Sequence, residues 1–165
     1  MTSASNIVLI GMMGSGKSTV GKVLADVLGF NFVDLDELIA QAEGIEIAEI
    51  FARRGEAYFR ELETAALEVF EECKDAVIST GGGIVKNEAN IAALKKIGAV
   101  FYLAAPANVL YDRINGDNKR PLLKTYEEFA QILNEREDAY KKADFTIDAA
   151  KSPQEAAEEI IEKWK

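Results

Sequence analysis

The run Gly11-Met12-Met13-Gly14-Ser15-Gly16-Lys17-Ser18-Thr19 follows the apolar stretch Ile7-Val8-Leu9-Ile10 and opens a helix-like segment beginning Val20-Gly21-Lys22. A strand that ends in Gly-x-x-x-x-Gly-Lys-Ser and leads into a helix wraps backbone N–H groups around a β-phosphate, and the helix N-terminus adds a favourable dipole. Gly14, Ser15, Gly16 and Thr19 would line that cradle, Lys17 would reach the β- and γ-phosphates, and the Ser18 hydroxyl would hold Mg²⁺. The alternative is a glycine-rich turn without a ligand, which the strand-loop-helix setting disfavours.

Other residues could complete a phosphoryl transfer. Asp34-Leu35-Asp36 closes the second apolar run. Residues two apart on a strand share a face, so both carboxylates are expected to address one cleft, Asp34 steering Mg²⁺ through water and Asp36 orienting or deprotonating an acceptor hydroxyl. Asp at such a position also caps the following helix or forms a turn. Gly81-Gly82-Gly83 follows Val77-Ile78-Ser79, so a second glycine-rich turn is expected at the same sheet edge, close to a ligand. A tight turn with positive φ would need only one of the three. Arg60, Arg120 and Arg136 are candidate anion donors: Arg60 and Arg136 for a carboxylate taken bidentately, Arg120 as a cation that arrives when a loop closes. Exposed pairing of Arg60 with Glu56, or of Arg136 with Glu135 or Asp138, is the plain alternative and contributes only ~0–1 kcal/mol.

These residues need a frame to hold them. The chain has 165 residues, is 48% hydrophobic and carries a net charge of −9, which suits one compact domain over 1–165. No basic run suggests nucleic acid or an anionic membrane, and no apolar stretch approaches the ~20 residues that span a bilayer. The N-terminal residues lack a signal-peptide pattern, so a cytoplasmic protein is expected, and the small size and unremarkable surface suggest a monomer. The chain has no histidine, which removes Ser-His-Asp chemistry and the usual zinc sites, and its one cysteine, Cys73, is expected partly buried on a helix-like stretch. Chemistry falls to Asp, Lys, Arg and backbone amides.

Short apolar runs at 6–10, 31–34, 76–79, 99–103 and 144–147 read as strands. Helical patterns at 17–28, 37–42, 57–72, 88–97, 107–114, 126–141 and 153–163 alternate with them. That order predicts an α/β fold of three layers, with a mainly parallel five-stranded sheet flanked by helices. In open sheets of this kind the cleft lies at the carboxyl ends of the strands. The polar, then basic stretch 116–124 breaks the pattern and reads as a lid loop.

Taken together the motifs resemble the shikimate kinase family, small P-loop kinases related to nucleoside monophosphate kinases, across nearly the whole chain. The resemblance rests on Gly11 to Thr19, Asp34-Leu35-Asp36, Ile47 to Phe51, Gly55-Glu56, Phe59-Arg60 with Glu63, Gly81-Gly82-Gly83, Arg120-Pro121-Leu122-Leu123, and Arg136 with Tyr140. It implies transfer of the ATP γ-phosphoryl group to the 3-hydroxyl of shikimate, with ATP and Mg²⁺ required and 36–63 forming the substrate-binding segment. It implies Lys17, Asp36 and Arg120 as catalytic residues, Ser18 and Asp34 at the metal, and Arg60 and Arg136 on the substrate carboxylate. Gly81, Gly82 and Gly83 would border the substrate, Phe51 and Phe59 would wall its pocket, and Arg113 and Lys151 would lie on the nucleotide side. Lys151 stands where the family more often has arginine. A P-loop kinase of another hydroxy acid, such as gluconate, shares most of these features. A non-catalytic nucleotide-binding module is a further alternative, but a guanine-reading switch would want Asn-Lys-x-Asp, whereas Asn118-Lys119 continues Arg120-Pro121.

Overall fold

The computed structural model describes residues 5–115 and 125–165, so Arg120 and the expected lid 116–124 lie outside the described residues. Five strands, β1 (Ile7–Ile10), β2 (Asn31–Asp34), β3 (Ala76–Ser79), β4 (Ala99–Ala104) and β5 (Phe145–Asp148), form one sheet in the order β2-β3-β1-β4-β5. Every pairing is parallel, with Ile7 opposite both Val77 and Ala99. Among the described residues, seven α-helices connect or flank them: α1 (Lys17–Leu28), α2 (Leu35–Glu43), α3 (Ile47–Val69), α4 (Glu88–Ile97), α5 (Ala107–Asn115), α6 (Tyr126–Tyr140) and α7 (Pro153–Trp164).

Strand alternation divides the core. Ile7 and Leu9 of β1 pack with Phe101, Leu103 and Ile147 against α1 and α7, through Val20, Leu24, Ala157 and Ile160. Val8 and Ile10 face the other way and join Ile78, Val100 and Tyr102 under α2 to α6. Both faces of the sheet are covered, as parallel strands with near-continuous apolar runs require. The expected α/β architecture with a five-stranded parallel sheet is the one observed.

Chain order leaves β1 between β3 and β4, so the connections from its neighbours run off in opposite directions and open a crevice at its carboxyl end. The loop 11–16, the turn 80–83 and the start of α2 all meet that edge.

Two local readings need correction. Helix α3 begins at Ile47, not near Ala57, and is broken inside at Gly55, whose φ of 83° and ψ of 168° lie outside helical space. The Gly55-Glu56 step reads in sequence as a helix start because glycine is a poor interior residue. At the other end α3 stops at Val69, so Cys73 lies beyond it in a loop, half-buried, its Sγ 3.7 Å from the Val69 carbonyl oxygen.

Candidate active site

Lys17 is the first residue of α1, yet its side chain folds back into the preceding loop and is only 9% exposed. Its ammonium donates to the carbonyls of Gly11 at 2.7 Å and Met12 at 3.1 Å, and lies 3.4 Å from Ser15 Oγ. Gly14 and Gly16 hold the loop open with φ of 82° and 87°. At Gly14 an added Cβ would also fall 2.7 Å from the Leu110 carbonyl oxygen, so the position is closed to any side chain. The result is a backbone cradle at a helix N-terminus with a buried cation at its rim, a fit for the β- and γ-phosphates of a nucleotide.

The Ser18 hydroxyl donates to Asp34 Oδ2 at 2.9 Å. Asp34 ends β2 and caps α2 at once, its Oδ1 accepting from the Glu37 amide at 3.2 Å. The capping role and the site role are therefore carried by different oxygens of one carboxylate. A hydroxyl and a carboxylate oxygen make the hard, all-oxygen donor set that Mg²⁺ takes together with phosphates.

Asp36 reaches the cleft by another route than strand alternation. It sits in the first turn of α2, because β2 passes into the helix with no spacer. From there its carboxylate backs onto Gly81, where an added Cβ would lie 2.8 Å from Oδ1 and 3.2 Å from Oδ2.

The triple glycine shows the same close approach along its length. None of the three adopts positive φ, so the tight-turn explanation does not apply. A Cβ on Gly82 would lie 3.4 Å from Arg136 Nη1, and one on Gly83 would run into the Arg60 guanidinium. Three side chains from α2, α3 and α6 thus close on one bare stretch of backbone. Tyr140 on α6 fixes it further, its hydroxyl donating to the Gly82 carbonyl. Arg136 does not pair on a solvated face; its Nη1 lies 3.9 Å from Met12 Sδ, under the phosphate loop.

Arg60 does pair with Glu56, at 3.2 Å, but its tighter partner is Glu63, at 2.5 Å. Glu63 is fully buried and its Oε2 has no hydrogen-bond partner among the described residues. Burial pushes its carboxyl above the ordinary value; the Arg60 guanidinium opposes the shift and the nearby Asp36 charge adds to it. Nothing in the sequence marks Glu63 as buried, since it sits among charged residues on a helix. Phe51 and Phe59, with ring centroids 4.9 Å apart, wall the same region, and the Arg60 guanidinium lies 5.9 Å and 5.3 Å from their centroids.

On the other side of the loop Arg113 donates to the carbonyls of Gly14 at 3.1 Å and Ala149 at 2.7 Å, tying the phosphate loop to the segment after β5. Lys151 lies in that segment, but its ammonium pairs with Glu159 of α7 at 3.2 Å. The described residues hold no helix long and apolar enough to cross a membrane.

Comparison with known proteins agrees with this geometry. The family model described as shikimate kinase matches residues 13–165. A shikimate kinase of Thermodesulfovibrio yellowstonii is 45% identical over 164 residues, covering 97% of this chain and 95% of that protein. The solved structure of a shikimate kinase from Acinetobacter baumannii in complex with shikimate superimposes with a TM-score of 0.89 at 36% identity, over 96% of this chain and 92% of the other. A gluconokinase from Sinorhizobium meliloti is more distant, with a TM-score of 0.62 at 18% identity, and shares the fold alone. With a phosphate loop in the crevice, two arginines on the bare glycine turn beside it, and this likeness over nearly its full length, the chain belongs to the shikimate kinase family.

Proposed function

We propose that this chain phosphorylates the 3-hydroxyl of shikimate from ATP by holding the two substrates at opposite ends of the crevice above β1. The observation that carries the residue assignment is the convergence of Arg60 and Arg136 on Gly81–Gly83, with Gly82 beside Gly11 and Met13 of the phosphate loop. Two planar guanidinium groups beside exposed backbone amides suit a carboxylate, which takes bidentate donors. Phe51 and Phe59 supply apolar walls for a carbon ring, and Asp36, between that clamp and the phosphate loop, takes the acceptor hydroxyl. The transition state of phosphoryl transfer is loose, so Asp36 acts as much by positioning as by accepting the proton.

Gly14, Ser15, Gly16 and Thr19 cradle the phosphates, and Lys17 leaves the Gly11 and Met12 carbonyls to stabilise the transferring group. Arg113 borders the adenine side, with Lys151 at its outer edge. Ser18 and Asp34 would hold Mg²⁺, which when bound neutralises charge between the β- and γ-phosphates. Arg120 is assigned, from its place in the sequence, as a cation delivered when segment 116–124 closes and excludes water. The enzyme is proposed to act as a single-domain cytoplasmic monomer, with 36–63 as the substrate-binding segment.

The direct test is ADP release from ATP·Mg²⁺ with shikimate, gluconate, nucleoside monophosphates or no acceptor at matched concentration. Turnover that depends on shikimate supports the reading; equal turnover without acceptor overturns it.

Two substitutions separate the roles. Arg136→Ala removes one charged donor pair and is expected to raise the shikimate KM by ~10–100-fold, with a smaller change in kcat, since hydrogen bonds to charged groups contribute ~1.5–3 kcal/mol. An unchanged KM would remove Arg136 from the clamp. Asp34→Asn keeps an oxygen for the Glu37 amide but loses the charge beside Ser18. Its thermal stability is expected to stay within ~0.5 kcal/mol, because asparagine caps as well as aspartate, while the Mg²⁺ concentration for half-maximal turnover rises severalfold. A stability loss with an unchanged Mg²⁺ requirement would make Asp34 a cap only.

A further inference from the structure

A cleft of about 500 Å³ opens between α6 and the segment that links β4 to α5. None of Lys17, Asp36, Arg60 or Arg136 lines it. Its walls are small and apolar, with Ala104, Pro106 and Leu133 prominent, and its polar groups are Tyr102, Asn134 and Glu137. Among the described residues, none that lines it is basic.

Tyr102 is the unusual member. It is 2% exposed and lines the cleft. Burial holds the phenol proton on, pushing its pKa up to about 12, and the Glu137 and Tyr140 charges add to the shift. Among the described residues the Glu137 carboxylate makes one exposed ion contact, with Lys141 at 3.8 Å, too weak to commit it. The phenol oxygen, the Glu137 carboxylate and the Asn134 amide are three acceptors on one cavity, which matches the three N–H donors of an ammonium group.

We infer that this cleft is a second small-molecule site, taking a primary amine on a compact apolar body, with the ammonium held by Glu137, Asn134 and Tyr102. Among the described lining residues an anion finds no cationic side chain, and a neutral body leaves Glu137 only its 3.8 Å contact with Lys141. The site is placed to report to the crevice: the Tyr102 ring stacks on Tyr140 with centroids 5.0 Å apart, and Tyr140 holds the Gly82 carbonyl.

The test uses three probes of one shape on the full chain: 2-phenylethylamine, 2-phenylethanol and phenylacetate, followed by backbone amide NMR shifts and calorimetry. The amine is expected to bind saturably, with shifts centred on 104–107 and 130–137. It should bind about tenfold or more tighter than either isostere, the size of a charge-assisted hydrogen bond. Glu137→Gln is expected to weaken the amine about tenfold while turnover with shikimate stays unchanged, which also shows that the variant is folded. Tyr102→Phe, which keeps the stacked ring, should weaken it severalfold. Equal binding of the alcohol or the acid, shifts centred on the crevice, no saturation, or unchanged affinity in Glu137→Gln would each overturn the assignment.

Discussion

Lys17→Met is expected to lower kcat for shikimate phosphorylation by ~10³-fold or more, the scale on which a cation stabilises a transferring phosphoryl group. The ammonium sits at the rim of the cradle on the carbonyls of Gly11 and Met12. It therefore needs only a short swing to reach a phosphate oxygen. Methionine matches the length and apolar stem of lysine but brings no charge, so the loop keeps its packing while the developing charge loses its partner. Stability should change little, since the variant removes a buried charge along with its hydrogen bonds. Nucleotide affinity, read by titration with a fluorescent ATP analogue, is expected to fall far less than kcat because the backbone amides remain. A Lys17→Met enzyme with kcat within tenfold of the parent would place the catalytic charge elsewhere, with Arg120 the next candidate.

The loop was readable in sequence because its geometry is local. Glycine spacing, the preceding apolar run and Gly29 at the helix end specify 7–28 without help from the rest of the chain, and α1 runs from Lys17 to Leu28 as the pattern indicates. The acceptor half is different. Asp36 was legible as a residue but not as a geometry, because the change from strand to helix at Leu35 is set by the cap that Asp34 supplies. Gly81–Gly83 looked like a turn, whereas its need for glycine comes from Arg60, Arg136 and Asp36, which arrive from three separate helices. Glu63 shows the limit most plainly. On a helix with Glu56, Arg60 and Glu61 around it, its burial is decided by packing against the glycine turn, which no local pattern encodes.

Asp36→Asn is the second substitution with a large expected effect, and its reading depends on that buried neighbour. Losing the carboxylate proposed to orient and accept from the hydroxyl should cut kcat by ~10²–10⁴-fold, with ATP binding kept. The same change removes a negative charge that helps to raise the Glu63 carboxyl above its ordinary value of 4.5. A carboxyl with a raised pKa holds its proton longer in the folded state than in the unfolded one. Its contribution to stability is complete below the unfolded value and is lost as pH rises through the folded one. In the parent enzyme that loss extends from about the ordinary carboxylate range upward. In Asp36→Asn the folded value moves down toward the unfolded one, so the stability lost over that interval shrinks. Chemical denaturation between pH 4 and 8 thus gives a readout independent of turnover. Lost activity with an unaltered pH profile would separate Asp36 from Glu63, and retained activity would remove Asp36 from the chemical step. Both changes together would mean that the acceptor hydroxyl is met by a carboxylate whose own charge is balanced against a buried partner, with Arg60 mediating between that partner and the substrate carboxylate.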